Sequence, residues 1–383
     1  MKIGIFGGTF DPPHIEHLNI CLNCKKELNL DKTLVIPAGE PPHKLIKKTD
    51  KKMRFEMAKI AFSGLDFVKV SDIEINEQVS YTYKTLEKLK TIYKDDEFYL
   101  IIGSDSFNDF ETWKNTQSIV KSSKIVVVNR ENSKVIKELK ENFINKYNTQ
   151  PKILNFCGRD ISSKVLRAFL EFKIFSDTMD KSVFDYIVKN NLYSGHKDFI
   201  EQLKLFLTEK RFIHTAFTVL EAVKLSYFLN SDPTKAFIAA ALHDIAKKYS
   251  ETELKERFNY TGKEKYPPKV AHAFAGRHIA KTVFKISDPD ILNGIEYHTT
   301  ARPNMSLLEK IIYVADCIEK TRDYLGLEKL REMVYNNFEE GFRECVRQMY
   351  ELINQKPDYE VCDYTEKAYA YYTQNKGVIN EEY

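Results

Sequence analysis

Through the first half of the chain, short β-branched and aromatic runs alternate with segments of helical apolar spacing. The runs KIGIF, TLVIPA, DFVKVSD, EFYLIIG and KIVVVNR (residues 2–6, 33–38, 66–72, 97–103 and 124–130) read as strands. Repeated strand–helix alternation predicts an α/β domain with a Rossmann-like parallel sheet covered by helices on both faces. In such sheets ligands bind beyond the carboxyl ends of the strands. The rhythm changes after VFDYIVKNNLY (183–193). The breaker SGHK is followed by amphipathic helical stretches such as DFIEQLKLFLTEK, FTVLEAVKLSYFL, AFIAAALHDIAKKY and LLEKIIYVADCIEK. This pattern predicts an all-α bundle, giving two domains, 1–195 and 196–383.

Composition agrees with two soluble domains. The chain has 383 residues, 43% hydrophobic and 30% charged, enough for two cores. A net charge of +3 from 58 basic and 55 acidic residues gives no case for a nucleic-acid partner. No apolar run reaches bilayer-spanning length, and the N-terminus enters a strand directly, so neither a membrane nor a signal peptide is expected and the predicted location is cytoplasmic. Cys21 and Cys24 form a C-x-x-C without a second pair, inside a helical run, and read as helix positions rather than a zinc site. Assembly into a homo-oligomer is left open.

The first chemistry-bearing stretch is GGTFDPPHIEH, residues 7–17. Gly7 and Gly8 let the backbone turn and approach a ligand, Pro12 and Pro13 stiffen the entry to a helix starting near His14, and that helix start offers free N–H groups and the positive dipole end to phosphate. His14 and His17 lie on one face of its first turn. Further along come PAGEPPHK (37–44), Arg54 and Met57, VSYTYKTL (79–86), GSDSFNDFETW (103–113), and ISSKVLR (161–167).

In this order the segments resemble the H-x-G-H nucleotidyltransferases, specifically bacterial nicotinate-mononucleotide adenylyltransferases. The resemblance implies adenylyl transfer from ATP to nicotinate mononucleotide, giving deamido-NAD⁺ and pyrophosphate, with Mg²⁺ accompanying ATP. It gives His14, His17, Lys44 and Arg167 phosphate-stabilising roles. Gly7, Gly8, Thr9, Phe10, Thr82, Gly103, Asp105, Arg130, Ser162 and Ser163 would bind substrate, and Trp113 would stack on the pyridine ring. Two positions depart from the pattern. Glu16 replaces the usual glycine and must point outward, shift the adenine or weaken the transferase; Lys164 stands where a small residue is common.

In the second half, adjacent His243-Asp244 in ALHDIAK would place two ligands on consecutive helix positions. His214, His272, His298 and Asp316 are each expected on a separate helix, projecting inward to complete a dinuclear site. An Asp within the apolar run IIYVADCI is costly unless partnered, and metal ligation would satisfy it. The H…HD…D order, with HTTARPNMSLLEKIIYVADCIEKTR (298–322), resembles HD-domain phosphohydrolases of the subgroup that splits diadenosine tetraphosphate symmetrically into two ADP. The resemblance implies two divalent ions, iron by preference, clamping the phosphoryl group. Lys247 would reach a substrate phosphate, and Arg302 and Arg322 are further candidates. Ala301 replaces the subgroup's glycine without removing a ligand. Two alternatives accompany the bifunctional reading: the helical half regulates the transferase by binding nucleotide, or Glu16 leaves the first half a nucleotide binder only.

Overall fold

A computed structural model describes residues 1–39, 49–77, 80–129, 134–156, 158, 161–262, 266–356 and 360–374. Lys44 and Arg130 lie outside the described residues. The chain divides into two compact units, Met1–Arg167 with Phe175–Tyr193, and Ala168–Ile174 with Ser194–Tyr383.

The first unit is built on a six-stranded sheet. Its strands are β1 (Lys2–Gly8), β2 (Lys32–Pro37), β3 (Val68–Val70), β4 (Glu97–Gly103), β5 (Lys124–Asn129) and β6 (Lys152–Asn155). Every pairing is parallel, in the order β3-β2-β1-β4-β5-β6. This is the doubly wound arrangement, with β1 and β4 flanking the point where strand order reverses. Ile3, Ile5, Leu34, Leu100 and Val127 are buried in its core, as expected of strands covered on both faces. The sequence pattern missed β6. At the sheet edge KILN buries only Leu154 fully and so shows no apolar run.

The second unit is helical. Its core gathers residues from the helices Glu209–Phe228, Pro233–Leu242, Leu307–Ile318 and Phe338–Asn354, among others. Small residues allow close approach: Ala236, Ala239, Ala240 and Ala241 on one helix are all essentially inaccessible. Asp232 and Asp288 cap helices that begin with proline, Pro233–Leu242 and Pro289–Glu296, each accepting two backbone N–H bonds. Among the described residues no helix is long and apolar enough to cross a membrane.

Candidate functional sites

The carboxyl ends of β1 and β4 open on a cavity of about 380 Å³. Gly7, Gly8 and Thr9 from the β1 end, Gly103 after β4, Thr82 and Trp113 line it. These six are among the residues the sequence motifs assign to substrate; Glu74, Ser80, Tyr81, Ser106 and Lys114, to which the sequence assigns no role, also line the wall. Ser80, Tyr81 and Ser106 lie within the quoted motif segments, and Lys114 follows Trp113. Ser80 and Glu74 do local work: Ser80 Oγ accepts from the Gly39 backbone N–H at 3.0 Å, and Glu74 accepts from Thr85 Oγ1 at 2.6 Å. Burial pushes the Glu74 carboxyl up, against its hydroxyl and amide donors.

Arg54 ties the loops of this cavity together. It is 1% exposed and donates to the Thr9, Gly39 and Thr49 carbonyls at 2.8, 2.9 and 3.0 Å. A guanidinium with three carbonyl acceptors in its rigid fork holds the three backbone segments in fixed alignment.

The opening turn differs from expectation in three respects. The positive backbone angle falls on Phe10 (φ 48°), not on Gly7 or Gly8. Gly7 instead leaves open space where a Cβ would project, so its contribution is room for a ligand. Phe10 is 1% exposed, its ring 5.0 Å from that of His17, so its side chain shapes the turn from beneath and does not line the cavity.

The helix Ile15–Leu28 begins one residue after His14, and the two imidazoles stand 3.8 Å apart. His17 Nδ1 accepts the His14 backbone N–H at 3.1 Å. In the neutral ring this places the proton on Nε2, as a donor. The helix Ser163–Leu170 is held to the same turn, with Ser163 Oγ donating to the Pro12 carbonyl at 2.9 Å and Arg167 Nη1 to the Asp11 carbonyl at 2.8 Å. Ser162 begins that helix, its carbonyl accepting from Val165 and Leu166. Asp105 is exposed on the short helix Ser104–Asn108 and does not line the cavity; Lys164 is exposed.

Glu16 does not point outward. It is 1% exposed, one carboxylate oxygen accepting from Asn19 Nδ2 at 3.2 Å and the other buried without a hydrogen-bond partner. That second oxygen would stand 2.1 Å from a Cβ at position 158. Glu16 and the Phe156 ring take the space of a side chain at 158, so this orientation of Glu16 requires the glycine there.

In the second unit the six expected ligands converge. His214, His272 and Asp316 sit on helices, the second of them Ala271–Thr282. His243, Asp244 and His298 do not: the helix Pro233–Leu242 stops just before His243, and His298 follows the helix Pro289–Glu296. The turn position has a reason. His243 Nδ1 faces the Ala240 carbonyl at 2.6 Å and His298 Nδ1 the Ile295 carbonyl at 2.7 Å. Each ring thus satisfies a carbonyl left open by its own helix end. His214 Nδ1 meets the buried Glu319 carboxylate at 3.0 Å. For His243 and His298 these acceptors hold the proton on Nδ1 and leave Nε2 as a lone pair aimed inward; the Glu319 carboxylate orients His214 so that its Nε2 also faces inward.

The Nε2 atoms face each other in two pairs, His214 to His243 at 3.2 Å and His272 to His298 at 3.3 Å. Asp244 divides between them. Its Oδ2 lies 3.9 and 3.7 Å from the Nε2 atoms of His214 and His243, its Oδ1 3.1 and 3.6 Å from those of His272 and His298. Asp316 Oδ1 joins the first group, 3.1 Å from His214. Two overlapping sets, His214–His243–Asp316 and His243–Asp244–His298, have ligand atoms close enough to hold a metal ion. Asp244 Oδ1 is buried and without a hydrogen bond, as a carboxylate oxygen reserved for a cation would be, so the residues fit a divalent metal.

Electrostatics follow the same geometry. Burial would raise Asp244, but the facing imidazoles His243, His272 and His298 hold it well below the carboxylate range. Asp316 is held down against burial by Arg322 and His214. Burial pushes His243 down to about 3 and His272 to about 4, keeping both neutral. For His214 the carboxylates of Asp316 and Glu319 overcome burial and raise it to about 9.

Three charged residues close the cluster. Arg211, unremarked in the sequence although one turn before His214, donates to Asp244 Oδ2 at 2.5 Å. Arg322 pairs with Asp316, and Lys247 Nζ stands 3.0 Å from His272 Nε2, its pKa lowered by burial. Arg302 is engaged elsewhere, bidentate on the buried Glu309 at 2.8 and 2.6 Å. Ala301 takes the left-handed conformation (φ 56°) that glycine adopts freely.

A Rossmann-type nucleotide cavity joined to a His/Asp-lined helical bundle defines a nucleotidyltransferase fused to an HD domain. The cytidylyltransferase-like family model matches residues 5–169 and the HD domain model residues 211–321. A Mycoplasma genitalium protein named "Probable nicotinate-nucleotide adenylyltransferase/Ap4A hydrolase" is 28% identical over 92% of this chain and 99% of its own. A Clostridium perfringens protein named "Probable nicotinate-nucleotide adenylyltransferase" is 40% identical over 50% of this chain and 98% of its own. A Clostridium acetobutylicum crystal structure described as a "predicted HD superfamily hydrolase involved in NAD metabolism" shares 33% identity over 48% of this chain and 98% of its own, with a TM-score of 0.43. The chain belongs, through its first half, to the nicotinate-nucleotide adenylyltransferase family, and carries an HD hydrolase domain in its second.

Proposed function

We propose that the first unit transfers the adenylyl group of ATP to nicotinate mononucleotide. The mononucleotide 5′-phosphate oxygen attacks the α-phosphorus in line, and pyrophosphate leaves. No side chain acts as nucleophile, so catalysis rests on positioning and charge stabilisation. The observation that carries this reading is the cavity at the β1/β4 reversal, bounded by the family's own segments. His17 would donate through Nε2 and Arg167 through its guanidinium to the triphosphate, with Ser162 and Ser163 at a second helix start. Trp113 and Thr82 would hold the pyridine ring. Lys44 and Arg130 complete the proposed set from outside the described residues. Mg²⁺ would arrive with ATP, bound mainly through phosphates and water. Pyrophosphate release from ATP, Mg²⁺ and nicotinate mononucleotide tests the proposal; its absence would leave the first unit a nucleotide binder.

For the second unit we infer hydrolysis of diadenosine tetraphosphate to two ADP. It is carried by Asp244, whose two oxygens face different imidazole pairs. His214, His243, Asp316 and Asp244 would hold one divalent ion, and Asp244, His272 and His298 a second. Iron suits the mixed imidazole–carboxylate set, and manganese could substitute. When bound, the ions supply Lewis acidity and an activated water. Arg211, Arg322 and Lys247 exchange their contacts with the cluster for phosphate oxygens. Elemental analysis of purified protein should find about two such ions per chain, and ADP should be the sole nucleotide product. Unchanged dinucleotide together with altered transferase kinetics on adding it would instead favour a regulatory domain. A cytoplasmic location fits both substrates.

A further inference from the structure

Two clefts reach the HD cluster. One, of about 660 Å³, runs from Asp316 and Arg322 between Tyr324 and Leu325 on one wall and Met349 and Leu352 on the other. The other, of about 700 Å³, contains Lys210, Arg211, His214 and Thr321, with Arg322 and Tyr324 shared by both. Their linings differ in kind. The second is lined mainly by charged groups, Lys210, Arg211 and Arg322 among the carboxylates of Glu209, Glu319 and Asp323, whereas the first is walled chiefly by aliphatic and aromatic groups. Leu325 is fully exposed and Leu352 49% exposed, and both lie along this cleft. Tyr324 is fixed there by its hydroxyl, which donates to the Cys317 carbonyl at 3.0 Å. Gln348 and Gln355 add amide groups that can both donate and accept.

An apolar slot with an immobilised aromatic, a few amides and a cation at one end suits a flat heterocycle attached to phosphate. We propose that this cleft holds the nucleobase and ribose of one end of a nucleoside polyphosphate. Its phosphates pass Arg322 and cross the cluster toward Arg211 and Lys210. The assignment rests on the hydrolase reading above, and it names where that substrate's base is recognised. Arg322 then acts as the hinge of recognition, because it lines both the apolar and the charged cleft.

The test is photolabelling of the full chain with 8-azido-ADP, followed by peptide mapping, which separates this cleft from nucleotide bound in the first unit. Label is expected within residues 324–355, displaced by ADP at concentrations at least tenfold lower than by pyrophosphate. Leu352→Arg, at a half-exposed position, should remove most of this label, as should Leu325→Glu at a fully exposed one. In hydrolysis of diadenosine tetraphosphate both variants should raise KM tenfold or more and change kcat less than threefold. Label confined to other segments of 196–383, or unaltered in both variants, would overturn the assignment. Failure of the wild-type chain to release ADP would count against the hydrolase reading alone, since the labelling pattern still judges the cleft.

Discussion

In the first unit the groups assigned to phosphate stand on backbone turns: a glycine that leaves space, two helix starts, and loops strung together by Arg54 through three carbonyls. In the second the assigned groups are buried side chains, and their hydrogen-bond partners are other side chains or helix-end carbonyls. One site sets helix starts and a few side-chain donors around an open cavity. The other concentrates carboxylates, imidazoles and guanidinium groups in one interior cluster. The difference teaches that phosphate chemistry can be held by a surface of donors or by a fixed core, and the two should fail differently.

The sharpest break is Asp244→Asn. It removes the charge shared by both imidazole pairs, so metal content should fall below one ion per chain and dinucleotide hydrolysis below detection, while pyrophosphate release from ATP is retained. Elemental analysis and the two assays on one preparation check this. His17→Ala should act in the opposite sense, lowering transferase kcat by about 10²–10³-fold, the scale of a lost preorganised donor, without changing metal content.

A finer contrast concerns support. Glu319→Ala deprives His214 Nδ1 of its acceptor and should weaken metal binding by about 10–100-fold. Glu319→Gln, which still accepts through its carbonyl, should recover most of it; chelator competition measures both. In the first unit the corresponding support is steric. Gly158→Ala would bring a methyl against Glu16 and the Phe156 ring, and kcat/KM for ATP should drop by about tenfold, a coupling within the 0.5–3 kcal/mol range of contacting residues. Combining it with Glu16→Ala should restore part of the loss, the Phe156 contact accounting for the remainder. Equal losses in single and double variants would dissolve the proposed coupling.

The smallest effect is expected at Ala301→Gly. Relief of the left-handed strain, worth about 1–2 kcal/mol, opposes the loss of a buried methyl, about 0.8 kcal/mol, and the greater freedom of unfolded glycine, about 0.5–1 kcal/mol. Thermal unfolding should therefore place it within about 1 kcal/mol of the parent.

Much of this was legible in the chain. Five β-branched runs became β1 to β5; β1, β2, β4 and β5 are central parallel strands, buried on both faces and therefore written in apolar residues, while the edge strand β3 was legible from its two valines. The six residues that converge in the helical half were legible from the adjacent His243-Asp244 pair and the H…HD…D order, and Asp316 also from its place in an apolar run. What escaped was local or relational. β6 lacks a periodic signal because an edge strand buries little, and His243 and His298 lie past helix ends because their rings meet the Ala240 and Ile295 carbonyls there, with Asp244 following His243 into the turn. Arg211 and Glu319 carried no motif, and a one-turn offset from a ligand was their only mark.

The sequence alone therefore determined the two architectures, the nucleotide family of the first and the donor types of the second, since periodicity and residue chemistry are properties of the chain. Only the tertiary structure decided which imidazole nitrogen faces inward, that Asp244 lies between two pairs, that Arg302 belongs to Glu309, and that Glu16 turns in toward Gly158. Each of these depends on a partner far away in the chain or on the exact direction of a side chain, and distance along a sequence does not encode direction in space.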